Sequence, residues 1–361
     1  MNLKMPSCKF WKINKQFMHH HCQKAKFSAV LPLLLLCFAC MPLKAQQLTN
    51  FFNRVIYAND YYFSLPMYNP AFTGDETQPS VSITGRMQQS PQEVNPYTIQ
   101  ALAQGFAPSL KSGFGFALQY HKFDDNFYGG TQLYPTNKRL LNMGLLYSYM
   151  FEVGEISVLK LGLGASLLHF KSDEVFSVQV PAPQPTVALN ERTFKPAFDI
   201  GISANILDFY VGVSVKYFNE PKFKFFEPGT ESTFFRNSYI TAGYKWALLQ
   251  NRLIIRPAVM LNALARNNNF GNTGGGVFFD ASVLFSYKDI AFAGTSYKVN
   301  DDPFFMSFLA GVRLKKTSQF TFSYHLPKNS AAKGYTRFEA GIGFFLQQSR
   351  FEEPDEIEDR E

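Results

Sequence analysis

Three histidines, His121, His169 and His325, are the side chains in residues 46–361 best suited to general acid–base work near neutral pH. Each falls in a different run of alternating apolar residues. None has the serine and carboxylate neighbours from which a hydrolytic triad could be assembled. A barrel hydrolase built on them predicts an activity that vanishes when all three are replaced together. The pairs Asp124–Asp125 and Asp301–Asp302 carry the right oxygens for calcium, but neither has the ligand spacing of a calcium loop. Gly274–Gly276 precedes a strand pattern rather than a helix, so it reads as a loop end and not as a phosphate cradle. The tract His19–His20–His21 and all four cysteines (Cys8, Cys22, Cys37, Cys40) lie within the first 45 residues. Residues 46–361 therefore offer no disulfide, thiolate nucleophile or cysteine metal site. The chemistry reads as non-enzymatic, with no cofactor and no metal.

Those first 45 residues are themselves informative. They hold seven Lys and no acid, with the apolar run AVLPLLLLCFACMPL at 29–43. The run has the length of a signal-peptide core and is too short and Pro-broken to span a membrane. Residues 1–45 are thus expected to be a signal peptide cleaved after Ala45. A lipid-modified Cys40 is the rival reading, but Cys37 stands where that motif needs an aliphatic residue. The seven Lys account for the whole formal charge of +7, leaving 28 basic and 28 acidic residues in the remainder. The basic balance is therefore a leader property, and no nucleic-acid partner follows from it.

The elements that must position any site are strands. From Ser80 to about Gln348 apolar residues recur with period two. Leu141, Met143, Leu145, Tyr147, Tyr149 and Phe151 fall on one face, opposite Asn142, Gly144 and Ser148. Val211, Val213, Val215 and Tyr217 oppose Gly212, Ser214 and Lys216. Counting such runs predicts 14 strands, at about 80–89, 97–107, 112–124, 139–153, 155–172, 194–208, 209–219, 234–248, 251–265, 274–288, 290–300, 304–315, 318–327 and 336–348. The joints alternate between long (125–138, 173–193, 220–233, 266–273, 328–335) and tight (Gly154, Asp208–Phe209, Gln250, Asp289, Lys316–Thr317).

That alternation suits a transmembrane antiparallel β-barrel with periplasmic turns and longer external loops, its apolar rows facing outer-membrane lipid. Aromatics near strand ends, among them Tyr244, Trp246 and Tyr287, are expected to form interfacial girdles. A soluble β-sandwich is the alternative, and it has no reason to alternate its joints. The fold class is accordingly all-β: a barrel of about 14 strands over 80–348, preceded by an aromatic-rich plug or periplasmic segment at 46–79. The Pro-rich VQVPAPQPT at 178–186 suits an external loop. The acidic tail at 349–361, with seven acids in FEEPDEIEDRE, suits a solvated periplasmic end.

One segment stands out ahead of the first strand: YNPAFTG, comprising Tyr68, Asn69, Pro70, Ala71, Phe72, Thr73 and Gly74. Asn69–Pro70 starts a turn, Phe72 offers an anchor, and Gly74 permits positive φ. This is the candidate partner-binding element, either a plug or a rim clamp. An ordinary turn into the first strand is the plainer reading.

With KAQQ ending the leader, NPAFTG (Asn69 to Gly74) before the first strand, SVSITGRMQ at Ser80–Gln89 with its Arg86, and a Gly- and Phe-rich barrel after it, the chain resembles the PorP/SprF family of outer-membrane proteins. The acidic extension beyond Arg350 departs from that pattern, because family members are expected to end near the last strand. The resemblance implies a non-enzymatic part in type IX secretion and gliding. Some members link to periplasmic machinery, and others export and anchor a secreted adhesin through its C-terminal domain. A passive porin remains the alternative, though Phe278, Leu284 and Phe345 at inward positions count against an open lumen.

Overall fold

The alternation read from the sequence is realised as a closed wall of antiparallel strands. The computed structural model describes residues 63–75, 78–89, 96–129, 132–154, 156–176, 187–224, 231–233, 236–264, 277–299, 304–315, 317–327 and 336–346. The leader, the acidic tail, Gly274–Gly276 and Asp301–Asp302 lie outside them. A one-turn helix, α1 (Leu65–Tyr68), and a 3-10 turn (Pro70–Phe72) precede the sheet. The first half of the wall is β1 (Ser80–Gln89), β2 (Tyr97–Ala107), β3 (Ser112–Gly129), β4 (Gln132–Glu152), β5 (Ser157–Phe176), β6 (Val187–Ile206) and β7 (Phe209–Lys216). The second half is β10 (Asn237–Tyr244), β11 (Trp246–Leu248), β12 (Leu253–Leu264), β13 (Val277–Tyr287), β14 (Ala291–Val299), β15 (Phe304–Leu314), β16 (Ser318–Pro327) and β17 (Thr336–Phe345). Between the halves a separate two-stranded hairpin forms from β8 (Lys222–Lys224) and β9 (Glu231–Thr233).

Each wall strand pairs with its sequence neighbour, β1 pairs with β17, and β7 pairs with β10. The ring therefore closes, and no backbone edge faces hydrocarbon. β10 and β11 are one strand interrupted at Lys245, whose N–H donates to Asp208 O (2.9 Å), so the wall has 14 strands as the patterning predicts. The tight joints carry left-handed residues: Lys111, Leu207, Leu249, Gln250, Asn251, Lys288, Asp289, Lys315 and Gly154 all have positive φ. At Lys288–Asp289 both central residues are left-handed and Ile290 N–H donates to Tyr287 O (3.0 Å). Such turns match the twist of the strands they join.

The faces separate as expected. Phe114, Phe116, Leu145, Leu163, Phe198 and Ile200 point outward and are exposed, whereas Gln119, Asn142, Ser148, Lys160, Asp199 and Ser214 are buried in the lumen. Tyr147, Tyr149, Phe151, Trp246 and Tyr287 are exposed beside the tight turns, where an aromatic girdle belongs.

Two expectations are corrected. Segments 125–138 and 173–193 are largely strand rather than loop, since β3 and β4 stay paired to Gly129↔Gln132 and β5 and β6 to Phe176↔Val187. The ladder continues there without the apolar alternation that marks it lower down. Tyr217 does not continue the outward row of Val211, Val213 and Val215. Its φ of 54° turns the chain, and its side chain is 1% exposed inside the lumen.

Candidate functional site

The segment singled out by sequence lies inside the barrel. Pro66 sits in the first turn of α1 and Pro70 opens the 3-10 turn, positions where a missing N–H costs nothing. Asn69 joins the two: its N–H donates to Leu65 O (2.9 Å), and its Oδ1 accepts from Ala71 N–H (2.9 Å), capping the next turn. Phe72 and Thr73 N–H groups donate to Asn69 O and Pro70 O (both 3.1 Å). Gly74 ends the element at φ 77°, a conformation that costs most other residues strain, and its N–H donates to Gln104 Oε1 (3.0 Å). Tyr68, Asn69, Pro70, Ala71, Phe72 and Thr73 are all buried.

What receives the segment is a transverse row of very small residues. Across the ladder Gly113 pairs with Ser148, Ser148 with Gly162, Gly162 with Gly201, and Gly201 with Ser214. All five turn toward the lumen, on β3 to β7, and together they hollow a groove across the wall. A Cβ on Gly162 would collide with the Ala71 backbone, one on Gly113 with Thr73 O, and one on Gly201 with Asn69 Oδ1. On the neighbouring row, a Cβ at Gly212 would strike the Phe72 ring (2.6 Å).

The serines of these rows supply bonds. Ser148 Oγ donates to Thr73 O (2.7 Å), Ser214 Oγ to Tyr68 O (2.8 Å), and Ser203 Oγ to Ala71 O (3.4 Å). Asn69 Nδ2 donates to the paired carbonyls of Ile202 (3.2 Å) and Val213 (3.3 Å). Its amide thus holds the two strands and the plug turn at once.

Charged and aromatic groups lock both flanks. Lys160, 6% exposed, pairs with Asp75, whose side chain keeps 29% of its surface open. Lys216 donates to Met67 O and lies 3.5 Å from Asp199, which in turn accepts from Tyr217 N–H (2.9 Å). Phe72 meets Tyr210 edge-on at 5.7 Å, and Tyr68 meets Tyr239 at 5.4 Å. Each such pair adds about 0.5–1.5 kcal/mol beyond its burial.

The chain crosses the lumen to reach this seat. Phe63 packs on Phe292 (5.6 Å), beside Leu284 and Leu309 of β13 and β15. Met67 and Tyr68 then join an apolar cluster with Leu102, Leu146, Tyr239, Ala258 and Met260, contributed by β2, β4, β10 and β12. The groove and the Phe63 contact both sit near the tight-turn ends of their strands, so the segment bridges that rim. Phe278 and Leu284 are indeed inward, packed into this apolar filling.

The histidines do not come together. His121 is buried in the lumen with Nδ1 3.0 Å from Thr98 Oγ1, beside Arg86. His325 is buried 3.9 Å from Glu339. His169 lies on the outward row of β5, stacked on Phe194 at 4.2 Å. The side chains of Asp124 and Asp125 are outside the described set, and no cluster of three metal-ligating side chains occurs among the described residues. The period-two pattern places Gly212 opposite the apolar row, but it does not reveal the groove that Gly113, Gly162 and Gly201 form. The signal available was the recurrence of glycine at one level on β3, β5 and β6, with Gly212 one row away on β7.

Among solved structures the chain is similar to the Pseudomonas putida toluene transporter TodX, at 10% identity over 80% of this chain and 92% of that one, with a TM-score of 0.45. It is similar to a Pseudomonas aeruginosa FadL homologue at 9% identity, over 81% and 96% of the two chains, with a TM-score of 0.48. The KdgM porin gives 10% identity over 74% and 99%, with a TM-score of 0.34. The barrel rests on its own strand pairing rather than on these likenesses. No curated protein matches the chain. Residues 50–344, from before the lumenal segment to the last strand, match the family described as type IX secretion system membrane protein PorP/SprF. The closed lipid-facing wall and this match make the chain an outer-membrane β-barrel that belongs to the PorP/SprF family.

Proposed function

We propose that this protein is a non-enzymatic binding and anchoring component of type IX secretion. At its long-loop rim it holds, or helps export, a secreted surface adhesin through the adhesin's C-terminal domain. At its tight-turn rim it meets periplasmic secretion components. The observation that carries this reading is the filled lumen. The segment Phe63–Asp75 crosses the tight-turn half of the barrel, with Phe63 packed on the far wall and nearly every residue from Met67 to Asp75 in contact with the wall through a hydrogen bond, ion pair or ring. A solute channel needs that half clear, whereas a scaffold gains rigidity from filling it. Ser148, Ser203, Ser214 and Lys216 are occupied in holding the segment, and the three histidines lie apart from one another.

The family match supports a place in type IX secretion, the adhesin and periplasmic partners are what the family resemblance implies, and the orientation follows the rule that tight turns face the periplasm. Affinity purification of the tagged, full-length protein from native outer membranes tests the reading. It should recover a secreted surface protein or secretion-machinery components in stoichiometric amounts. Recovery of neither would refute it.

A further inference from the structure

We infer that the exported partner is held by strand addition: an extended segment of it pairs along the free edge of β6, on the sheet that β3–β6 raise beyond the barrel. This rests on the proposed reading that the long-loop rim receives a secreted protein.

The two sides of β6 are unequal. Toward β5 it is paired along its whole length, from Phe176↔Val187 to Ser157↔Ile206. Toward β7 the ladder runs only from Ile206↔Phe209 to Ile200↔Val215. The stretch Val187–Asp199 therefore has a strand on one side and, among the described residues, none paired on the other. Long free edges are avoided in proteins because they recruit other strands. Here one is retained, at the rim that faces outward.

A peptide-like group already sits on the start of this edge. Phe218 N–H donates to Phe198 O (3.0 Å), Asn219 Oδ1 accepts from Phe198 N–H (3.1 Å), and Asn219 Nδ2 donates to Pro196 O (2.8 Å). The Asn219 carboxamide thus does what one peptide unit of an added strand would do, taking an N–H and giving one back. These bonds also fix direction. Phe198 and Pro196 point their main-chain groups away from β5, so by the two-residue repeat Phe194, Arg192, Asn190 and Ala188 do the same.

Only an extended chain presents alternate donors and acceptors at the spacing this edge requires. A lipid tail can satisfy none of them. Phe194, 58% exposed and stacked on His169, offers an aromatic surface next to the edge for the incoming strand's side chains. Among the described residues, the β8–β9 hairpin approaches β6 but is laddered only with itself.

Proline at position 192 tests the main chain specifically. Arg192→Pro removes an N–H that faces the open edge and leaves the bonds to β5 intact, whereas Arg192→Ala removes only the side chain. In affinity purifications from native membranes, Arg192→Pro should cut recovery of the secreted partner at least about tenfold, the equivalent of about 1.4 kcal/mol. Arg192→Ala should stay within about twofold. A photo-crosslinking residue at Phe194, in an otherwise unchanged chain, should join to one short segment of the secreted protein. That arm does not depend on the proline variant folding.

Undiminished recovery with Arg192→Pro, or equal loss with Arg192→Ala, overturns the inference while the anchoring reading stands. So does a crosslink only to lipid, to a second copy, or to this chain's own Lys222–Lys224. If the unaltered protein recovers no secreted protein, the anchoring reading itself fails and the inference falls with it.

Discussion

Replacing Gly162 by valine should expel the NPAFTG segment from its groove while leaving the barrel standing. Valine suits a strand, and the ladder bonds of β5 do not involve the added atoms. The new side chain enters the lumen where the Ala71 N and Pro70 C atoms lie, and those are backbone atoms with no rotamer to yield. Overpacking of this kind costs about 1–3 kcal/mol, which raises the ratio of unseated to seated segment about 5- to 150-fold. Chymotrypsin on the folded barrel reads this directly, because Tyr68 and Phe72 are buried in the seat and cleavable out of it. The unaltered chain should resist, and Gly162→Val should be cut after those residues. Leu163→Val, whose side chain faces lipid one residue away, should behave as the unaltered chain does. Equal resistance in all three would mean that the groove does not hold the segment.

Asn69 carries the second large effect, and aspartate separates its two roles. Asn69→Ala loses the cap on Ala71 N–H and both wall bonds, to Ile202 O and Val213 O. A lost cap costs about 0.5–2 kcal/mol and each lost bond about 0.5–1.5 kcal/mol, so a loss of about 2–3 kcal/mol in seating is expected. Asn69→Asp keeps an acceptor for the cap but brings a carboxylate against two carbonyl oxygens. It should therefore seat no better than alanine, and worse where the charge is retained. Recovery of normal seating by aspartate would show that capping alone matters and that the wall carbonyls are incidental. Fluorescence-detected unfolding in detergent, with chymotrypsin protection beside it, distinguishes these outcomes.

Much of this architecture was legible in the sequence, and the gaps have physical causes. Rows such as Leu141 to Phe151 mark lipid-facing strands because hydrocarbon demands one apolar face, and the tight joints mark one rim of the barrel. The upper parts of β3–β6 read as loops because their sequence lacks the period-two apolar pattern by which strands are recognised. Tyr217 was assigned outward because period two cannot foresee a residue with φ 54°. The lumenal segment was recognisable as unusual, since Asn–Pro, a lone aromatic and a glycine in seven residues specify a tight element. Its seat was not, because Gly113, Ser148, Gly162, Gly201 and Ser214 are far apart in sequence and meet only when the register of five strands is fixed. Arg86, expected from the family pattern, proved to be lumenal, donating to Thr98 Oγ1 (3.4 Å).

The central claim is that this segment is an integral, bonded part of the barrel interior, and hydrogen exchange measures it without any substitution. The amides of Met67, Asn69, Ala71, Phe72, Thr73, Gly74 and Asp75 all donate to acceptors inside the protein. In the full-length protein in lipid nanodiscs, these amides should exchange as slowly as those of the wall strands β5 and β6 beside them. Exchange of Met67–Asp75 at the rate of a free loop, while β5 and β6 remain protected, would contradict the account.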